Sequence, residues 1–183
     1  AYRFGLLLEE GRYRYDAEDH HGPTLYYLTL PAAWLSGAES FAETGETTYR
    51  ALPVVFGLLL VLCAPLLRSG IGTSAVLFAA LFAALSPALA YYSRFYIQET
   101  LLVFFTFLAI AAGWHSARGG SRAWAAACGL SAGLMFSTKE TAVISFGAMA
   151  GAAALCWALS RGGKATDASG DCAAGVARLR TNF

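Results

Sequence analysis

Five stretches of this chain, at about 51–67, 73–92, 97–114, 122–138 and 141–160, are dominated by apolar and small residues, chiefly Ala, Leu, Val, Phe and Gly. A helix needs about 20 apolar residues to cross the hydrocarbon core, and roughly 17 suffice when its ends snorkel or the bilayer thins. All five approach that length. Of the 183 residues 57% are hydrophobic and 14% charged, and the charges avoid these stretches except for Glu99 and Arg122 near their starts, a distribution that belongs to a membrane chain. The expected fold is all-α, a polytopic transmembrane helix bundle. The fourth stretch is the most polar of the five, since it contains Gly129, Ser131, Gly133 and Ser137. Gly129 with Gly133, and Gly147 with Gly151, have the spacing that lets helix backbones approach closely in lipid, although an Ala/Gly-rich chain also produces such pairs by chance.

About fifty residues precede the first stretch and read as a loop. Within it, Thr24 to Leu35 is amphipathic and too short to span, so it is expected to lie in the membrane interface. The chain therefore divides into a first loop (1–50), a bundle of about five helices (51–160) and a tail (161–183) in which the hydrophobic pattern collapses and poor order or a non-native origin is expected. No signal peptide is visible ahead of the loop, and because Ala1 stands where an initiator Met would, a fragment is expected. The net charge of +1 offers no basic stripe for a nucleic-acid backbone. Cys63, Cys128, Cys156 and Cys172 show no CxxC spacing and suggest neither a disulfide framework nor a metal site.

Lys and Arg in short connections concentrate on the cytoplasmic side. Arg68, Arg118 with Arg122, and Arg161 with Lys164 fall on one side of the alternating spans, which is assigned as cytoplasmic. The opposite side receives the long first loop, with Arg3, Arg12, Arg14 and Arg50, together with the link containing Arg94 and the Lys139–Glu140 turn. A multi-pass protein of the cell (plasma) membrane is expected.

That alternation delivers three polar clusters to the extracytoplasmic face: YRYDAEDHHGP at 13–23, YYSRFYIQET at 91–100 and STKET at 137–141. In the first, Asp16, Glu18 and Asp19 abut His20 and His21, which fits either a solvated loop or a reactive one. Adjacent histidines and carboxylates can also bind a divalent metal, but a second set of ligands is missing and no cofactor is assigned. In the second, Arg94 and Glu99 sit at a membrane boundary, where an unpaired charge costs a few kcal/mol. If a helix starts at Tyr96, Glu99 points into the bundle at its positive end; the alternative is an Arg94 that snorkels and a Glu99 that only caps. In the third, Lys139 and Glu140 join two apolar helices without a Gly or Pro to make the turn.

These motifs resemble a known family. HHGPTLYYLTLP resembles the H-x-P-P-L segment of the protein O-mannosyltransferase superfamily, and YYSRFYIQETLLVFF resembles its S-R-x-x-x-x-D/E-x-x-L segment. GLMFSTKETAVIS is similar to the G-L-x-x-x-T-K-G-P turn of the lipid A aminoarabinose transferases. Over about residues 1–160 the chain resembles membrane proteins of the glycosyltransferase 39 type, some described as flippase-activity-associated proteins of N-glycosylation.

The resemblance implies a GT-C fold, with a polyprenyl-phosphate sugar donor in the bilayer and protein or lipid glycosylation as the outcome. It implies Glu99 and Asp19 as catalytic acids, and Arg94, Lys139, His20, His21, Tyr96 and Glu140 as residues around the substrate and its phosphate. Cations suit the charge that develops on a phosphate leaving group, and a carboxylate suits the acceptor proton. Tyr26, Tyr27, Phe95 and Tyr96 are candidate walls of a prenyl groove, unless they are an aromatic belt.

The chain departs from the family in three respects. The family's Asp-Glu motif would lie before Ala1, so this chain alone is expected to be inactive. Glu99 stands where Asp is usual, and HHGP has Gly where a first Pro is frequent. Two other readings remain: a non-catalytic lipid-carrier binding or translocating protein, and an ion transporter, which the lack of mid-span charge disfavours.

Overall fold

The structure, a computed structural model, describes residues 2–13, 22–119 and 121–162. Among these residues the regular elements are helices, with no strand: α1 (Tyr2–Glu10), α2 (Thr24–Ser36), α3 (Glu46–Leu62), α4 (Arg68–Ile71), α5 (Thr73–Leu85), α6 (Pro87–Tyr92), α7 (Glu99–Ala117), α8 (Arg122–Thr138) and α9 (Ala142–Gly162). The fold is the expected all-α membrane bundle. The described residues fall into two compact units, divided after Ala142. In the second, α9 is long and apolar enough to span, and it leaves Ile144, Leu155 and Trp157 exposed, as a lipid-facing helix does. The rest of the tail, 163–183, lies outside the described residues.

Three segments have the length and apolarity of a membrane span: Glu46–Ile71, Glu99–Ala117 and Ala142–Leu159. The first begins earlier than the apolar pattern suggests, since Gly45 is extended at the helix start and an Arg50–Glu46 pair one turn apart supports the polar opening turns. The stretch at 73–92, expected as one span, is two helices. Pro87 disfavours helical backbone in the residue before it, and Ser86 accordingly adopts φ −65°, ψ 116°. Pro87 then opens α6, where its missing N–H costs nothing, and the Ser86 hydroxyl accepts from the Leu89 amide at 3.3 Å. The 13-residue α5 is about 20 Å long, short of the ~30 Å hydrocarbon core.

In the first unit α3 and α7 run in the same direction. At their starts the rings of Tyr49 and Tyr96 stand 5.1 Å apart; at the other end His115 Nε2, in the last turn of α7, meets the carbonyl of Leu66, just past α3, at 2.8 Å. Helix α8 returns alongside α7, and small residues let the two backbones approach. Ala109, Ala111 and Ala112 are buried, Cys128 Sγ lies 3.4 Å from the Ala109 carbonyl, and a Cβ on Gly113 would touch Cys128 Sγ. Phe56 of α3 fills the other side against Phe104 and Phe105, at 5.1 and 5.5 Å.

An aromatic core joins the first loop to this bundle. Phe4 and Leu7 of α1, with Tyr26 and Ala33 of α2, are buried together against Tyr13, Tyr49 and Tyr96. Tyr26 lies edge-on to Tyr96 at 6.3 Å, and Phe4 edge-on to Tyr49 at 5.6 Å, geometries that ring quadrupoles favour. Helix α2 matches the expected Thr24–Leu35 segment and ends at Gly37, whose φ of 72° is the left-handed cap that glycine adopts freely.

Candidate active site at one end of the bundle

Helix α8 ends at Thr138, and Lys139 turns extended, with φ −155° and ψ 140°. This is how the connection dispenses with Gly and Pro: the Lys139 N–H still closes on the Met135 carbonyl at 3.2 Å, and the Ala142 N–H caps the Lys139 carbonyl at 3.0 Å. The swing brings Lys139 Nζ to 2.6 Å from Glu99 Oε1. Glu99 is the first residue of α7, where the helix dipole favours a carboxylate. The lysine side chain is 23% exposed and the carboxylate 41%, so the pair sits at a boundary and retains some access to solvent.

The first loop is stitched to the same place. Gly22 donates its N–H to the Thr138 carbonyl at 3.1 Å, satisfying an orphan carbonyl at the end of α8. The Gly22 carbonyl accepts from Gln98 Nε2 at 3.2 Å, and Thr24 Oγ1 donates to Ser137 Oγ at 2.9 Å. One glycine peptide is thus gripped by the residue preceding Glu99 and by the residue preceding Lys139. A Cβ on Gly22 would lie 1.8 Å from the Ser137 carbonyl oxygen, so no other side chain fits. Gln98 Oε1 and Thr100 Oγ1, on either side of Glu99, are buried without a hydrogen-bond partner among the described residues. Such groups cost about 1–3 kcal/mol each.

The opposite end of α7 is basic and closed by its own contacts. Trp114 Nε1 donates to Ser69 Oγ at 3.1 Å, Arg118 Nη1 donates to the Ser69 carbonyl at 3.1 Å, and the Arg118 guanidinium lies 5.1 Å over the Trp114 ring. His115 stacks on Trp124 at 4.6 Å. Arg68 Nε bonds Thr73. Arg68 and Arg118 therefore lie at one end of the first unit, with the Glu99–Lys139 pair at the other.

The predicted residues fare differently. Glu99 and Lys139 meet. Glu140 is exposed in the adjoining turn. Arg94 is exposed in the α6–α7 link and lines a cleft with Arg50, Tyr91 and Phe95, a lining that does not include Lys139. Tyr96 is mostly buried, its hydroxyl 3.0 Å from Thr29 Oγ1. Since the Thr29 proton goes to the Leu25 carbonyl at 2.7 Å, the phenol is the donor to Thr29. Burial pushes the Tyr96 phenol well above the ordinary tyrosine range. Of the proposed prenyl walls, Tyr26 and Tyr96 belong to the aromatic core, whereas Tyr27 and Phe95 are exposed. Asp19, His20 and His21 lie outside the described residues.

Sequence reasoning passed over Gln98, Gly22 and Arg50. For Gln98 the available signal was a polar residue beside Glu99 inside an otherwise apolar helix start.

A family model described as dolichyl-phosphate-mannose-protein mannosyltransferase matches residues 26–165. Neither the curated proteins nor the solved structures yield a match.

Proposed function

Because the chain belongs to the dolichyl-phosphate-mannose-protein mannosyltransferase family, and is thereby a membrane glycosyltransferase in general kind, we propose that it transfers a sugar from a polyprenyl-phosphate donor to an acceptor hydroxyl, with inversion, at the extracytoplasmic face of the cell membrane. The observation that carries this reading is the 2.6 Å contact of Lys139 with Glu99 at a membrane boundary, joined there by the end of the first loop.

In the reaction, a carboxylate takes the acceptor proton, the acceptor oxygen forms a bond to the anomeric carbon, and the bond from that carbon to the phosphate oxygen breaks. The electron pair leaves with the polyprenyl phosphate. Glu99 is one proton acceptor and Asp19 of the first loop the other candidate. Lys139 and Arg94 meet the phosphate charge, and His20, His21 and Glu140 lie in sequence next to these groups. In the resting pair Lys139 holds the Glu99 carboxylate. An arriving phosphate competes for the ammonium and frees Glu99 to act as a base.

The test is transfer from a radiolabelled polyprenyl-phosphate sugar by membranes containing the complete gene product. Glu99→Gln and Lys139→Met are each expected to lower transfer by about 10²-fold or more. Unchanged transfer in both variants removes these assignments, and tight donor binding with no transfer in the unaltered protein favours a lipid-carrier protein instead.

A further inference from the structure

The end of the first unit opposite the Glu99–Lys139 pair holds cations that no carboxylate answers. Between Arg50 and Lys139 the sequence has a single acidic residue, Glu99, and it stands at the far start of α7. Arg68 opens α4, and Arg118 follows the last turn of α7. Arg122 opens α8, whose start is brought beside the end of α7 by the stacking of His115 on Trp124 at 4.6 Å. All three arginines are exposed.

Arg118 and Arg68 are held in place rather than left to trail in solvent. Arg118 gives one terminal nitrogen to the Ser69 carbonyl at 3.1 Å and lies 5.1 Å over the Trp114 ring. Trp114 is itself fixed by its bond to Ser69 Oγ at 3.1 Å, and α4 runs so close that a Cβ on Gly70 would be 3.3 Å from the indole. Arg68, next to Ser69 in the chain, gives its Nε to Thr73 at 3.0 Å. A guanidinium has five N–H donors, so Arg68 and Arg118 keep most of theirs open. Arg122 has no hydrogen-bond or ion-pair partner among the described residues. Donors positioned before a ligand arrives lose little freedom on binding it.

Such forks suit the oxygens of a phosphate, and the surroundings select its source. Ile71, at the end of α4, is 53% exposed and Trp114 39%, and Leu77 and Phe78 of α5 are exposed as well. A free phosphate would leave that apolar surface bare. A phospholipid sets its headgroup at the depth of interfacial tryptophans and its acyl chains against apolar side chains. A zwitterionic headgroup would bring a further cation among three, whereas an anionic one brings only the missing charge.

We infer that this end of the bundle binds an anionic phospholipid of the cytoplasmic leaflet, its phosphate on Arg118 and Arg68 with Arg122 beside them, and its acyl chains along Ile71 and α5. Bound there, the lipid ties the connection between α3 and α5 to the turn between α7 and α8. The inference rests on the orientation proposed above and not on the reaction.

The test uses the complete gene product in uncharged detergent with phosphatidylglycerol, phosphatidylcholine or inorganic phosphate added, and reads retained lipid by native mass spectrometry. Phosphatidylglycerol is expected to stay bound where phosphatidylcholine is lost, and inorganic phosphate is expected not to displace it. Arg118→Gln and Arg68→Gln should each weaken retention roughly tenfold. Arg122→Gln breaks no bond among the described residues, so it should weaken retention while leaving the melting temperature in lipid-free detergent unchanged. Arg12→Gln, in the first loop, should retain the lipid as the parent does. Equal retention of phosphatidylcholine, displacement by inorganic phosphate, an equal loss in Arg12→Gln, or indifference to both Arg118→Gln and Arg122→Gln overturns the inference. Retention in detergent needs neither sugar nor sidedness. Its failure therefore sinks the lipid seat alone, and a failure of the orientation shows instead in which cell surface admits a cysteine reagent to Arg122→Cys.

Discussion

The amide of Gly22 donates to the carbonyl of Thr138 across 3.1 Å, and with the Gln98–Gly22 and Thr24–Ser137 bonds this contact fixes how far the first loop stands from the Glu99–Lys139 pair. Gly22→Ala would place a methyl 1.8 Å from a backbone oxygen with no flexible group to yield. The clip must open. Overpacking of this kind costs about 1–3 kcal/mol, which should appear as a lower melting temperature together with a loss of transfer. Gln98→Leu keeps the volume but strands the Gly22 carbonyl, and about 1–3 kcal/mol is expected there as well.

The ion pair itself should contribute little to stability. With the Lys139 side chain 23% exposed and that of Glu99 41%, solvent screens the attraction. A double-mutant cycle of Glu99→Gln and Lys139→Met, read by thermal melting, should give a coupling of about 1 kcal/mol. Transfer should collapse in both single variants, and the reversed pair, Glu99→Lys with Lys139→Glu, should recover stability without recovering transfer. Recovery of both would mean that the pair is only a brace.

Tyr96 predicts an alkaline weakness. Its phenol is held neutral in the folded protein and titrates above the ordinary value of 10.0, so the unfolded chain releases that proton first. The contribution of Tyr96 to stability is complete below the ordinary value and is lost as pH rises beyond it. Melting temperatures compared between about pH 8 and about pH 11 should fall less steeply for Tyr96→Phe than for the parent. At neutral pH the same variant should be weaker by about 1 kcal/mol, having lost its bond to Thr29.

Sidedness can be read with single cysteines in a background in which the native cysteines are replaced. A membrane-impermeant maleimide applied to intact cells should modify Glu140→Cys, and should reach Arg122→Cys only after permeabilisation. The opposite pattern would invert the proposed orientation, and labelling of both without permeabilisation would remove the span between them.

Much of this arrangement was legible because membrane chains restrict where charge can sit. The apolar runs announced the bundle, and strict alternation of ends was enough to put STKET near YYSRFYIQET, where the structure joins Lys139 to Glu99. The Thr24–Leu35 segment was legible as a short apolar helix, although its apolar side chains are spread round the helix rather than gathered on the one face that was expected. What escaped was set by local stereochemistry and by hydrogen bonds distant in sequence. The backbone restriction at Ser86 and Pro87 outweighs an unbroken apolar run, so a twenty-residue stretch became two helices. The early start of α3 depends on a turn containing Glu46 and Arg50, which hydropathy reads as loop. Gln98 and Gly22 carry no periodic signal, because their importance lies in one mutual bond between residues 76 apart in the chain.

The Gly22 clip also has a consequence for biogenesis. Gly22 emerges from the ribosome long before Thr138, so the bond from Gln98 to its carbonyl can form first, and the bond from its own N–H must wait until the α8–α9 turn has been synthesised and delivered to its side of the bilayer. A nascent protein stalled before that turn would possess α1 to α8 yet lack Lys139, and with it the partner that holds Glu99.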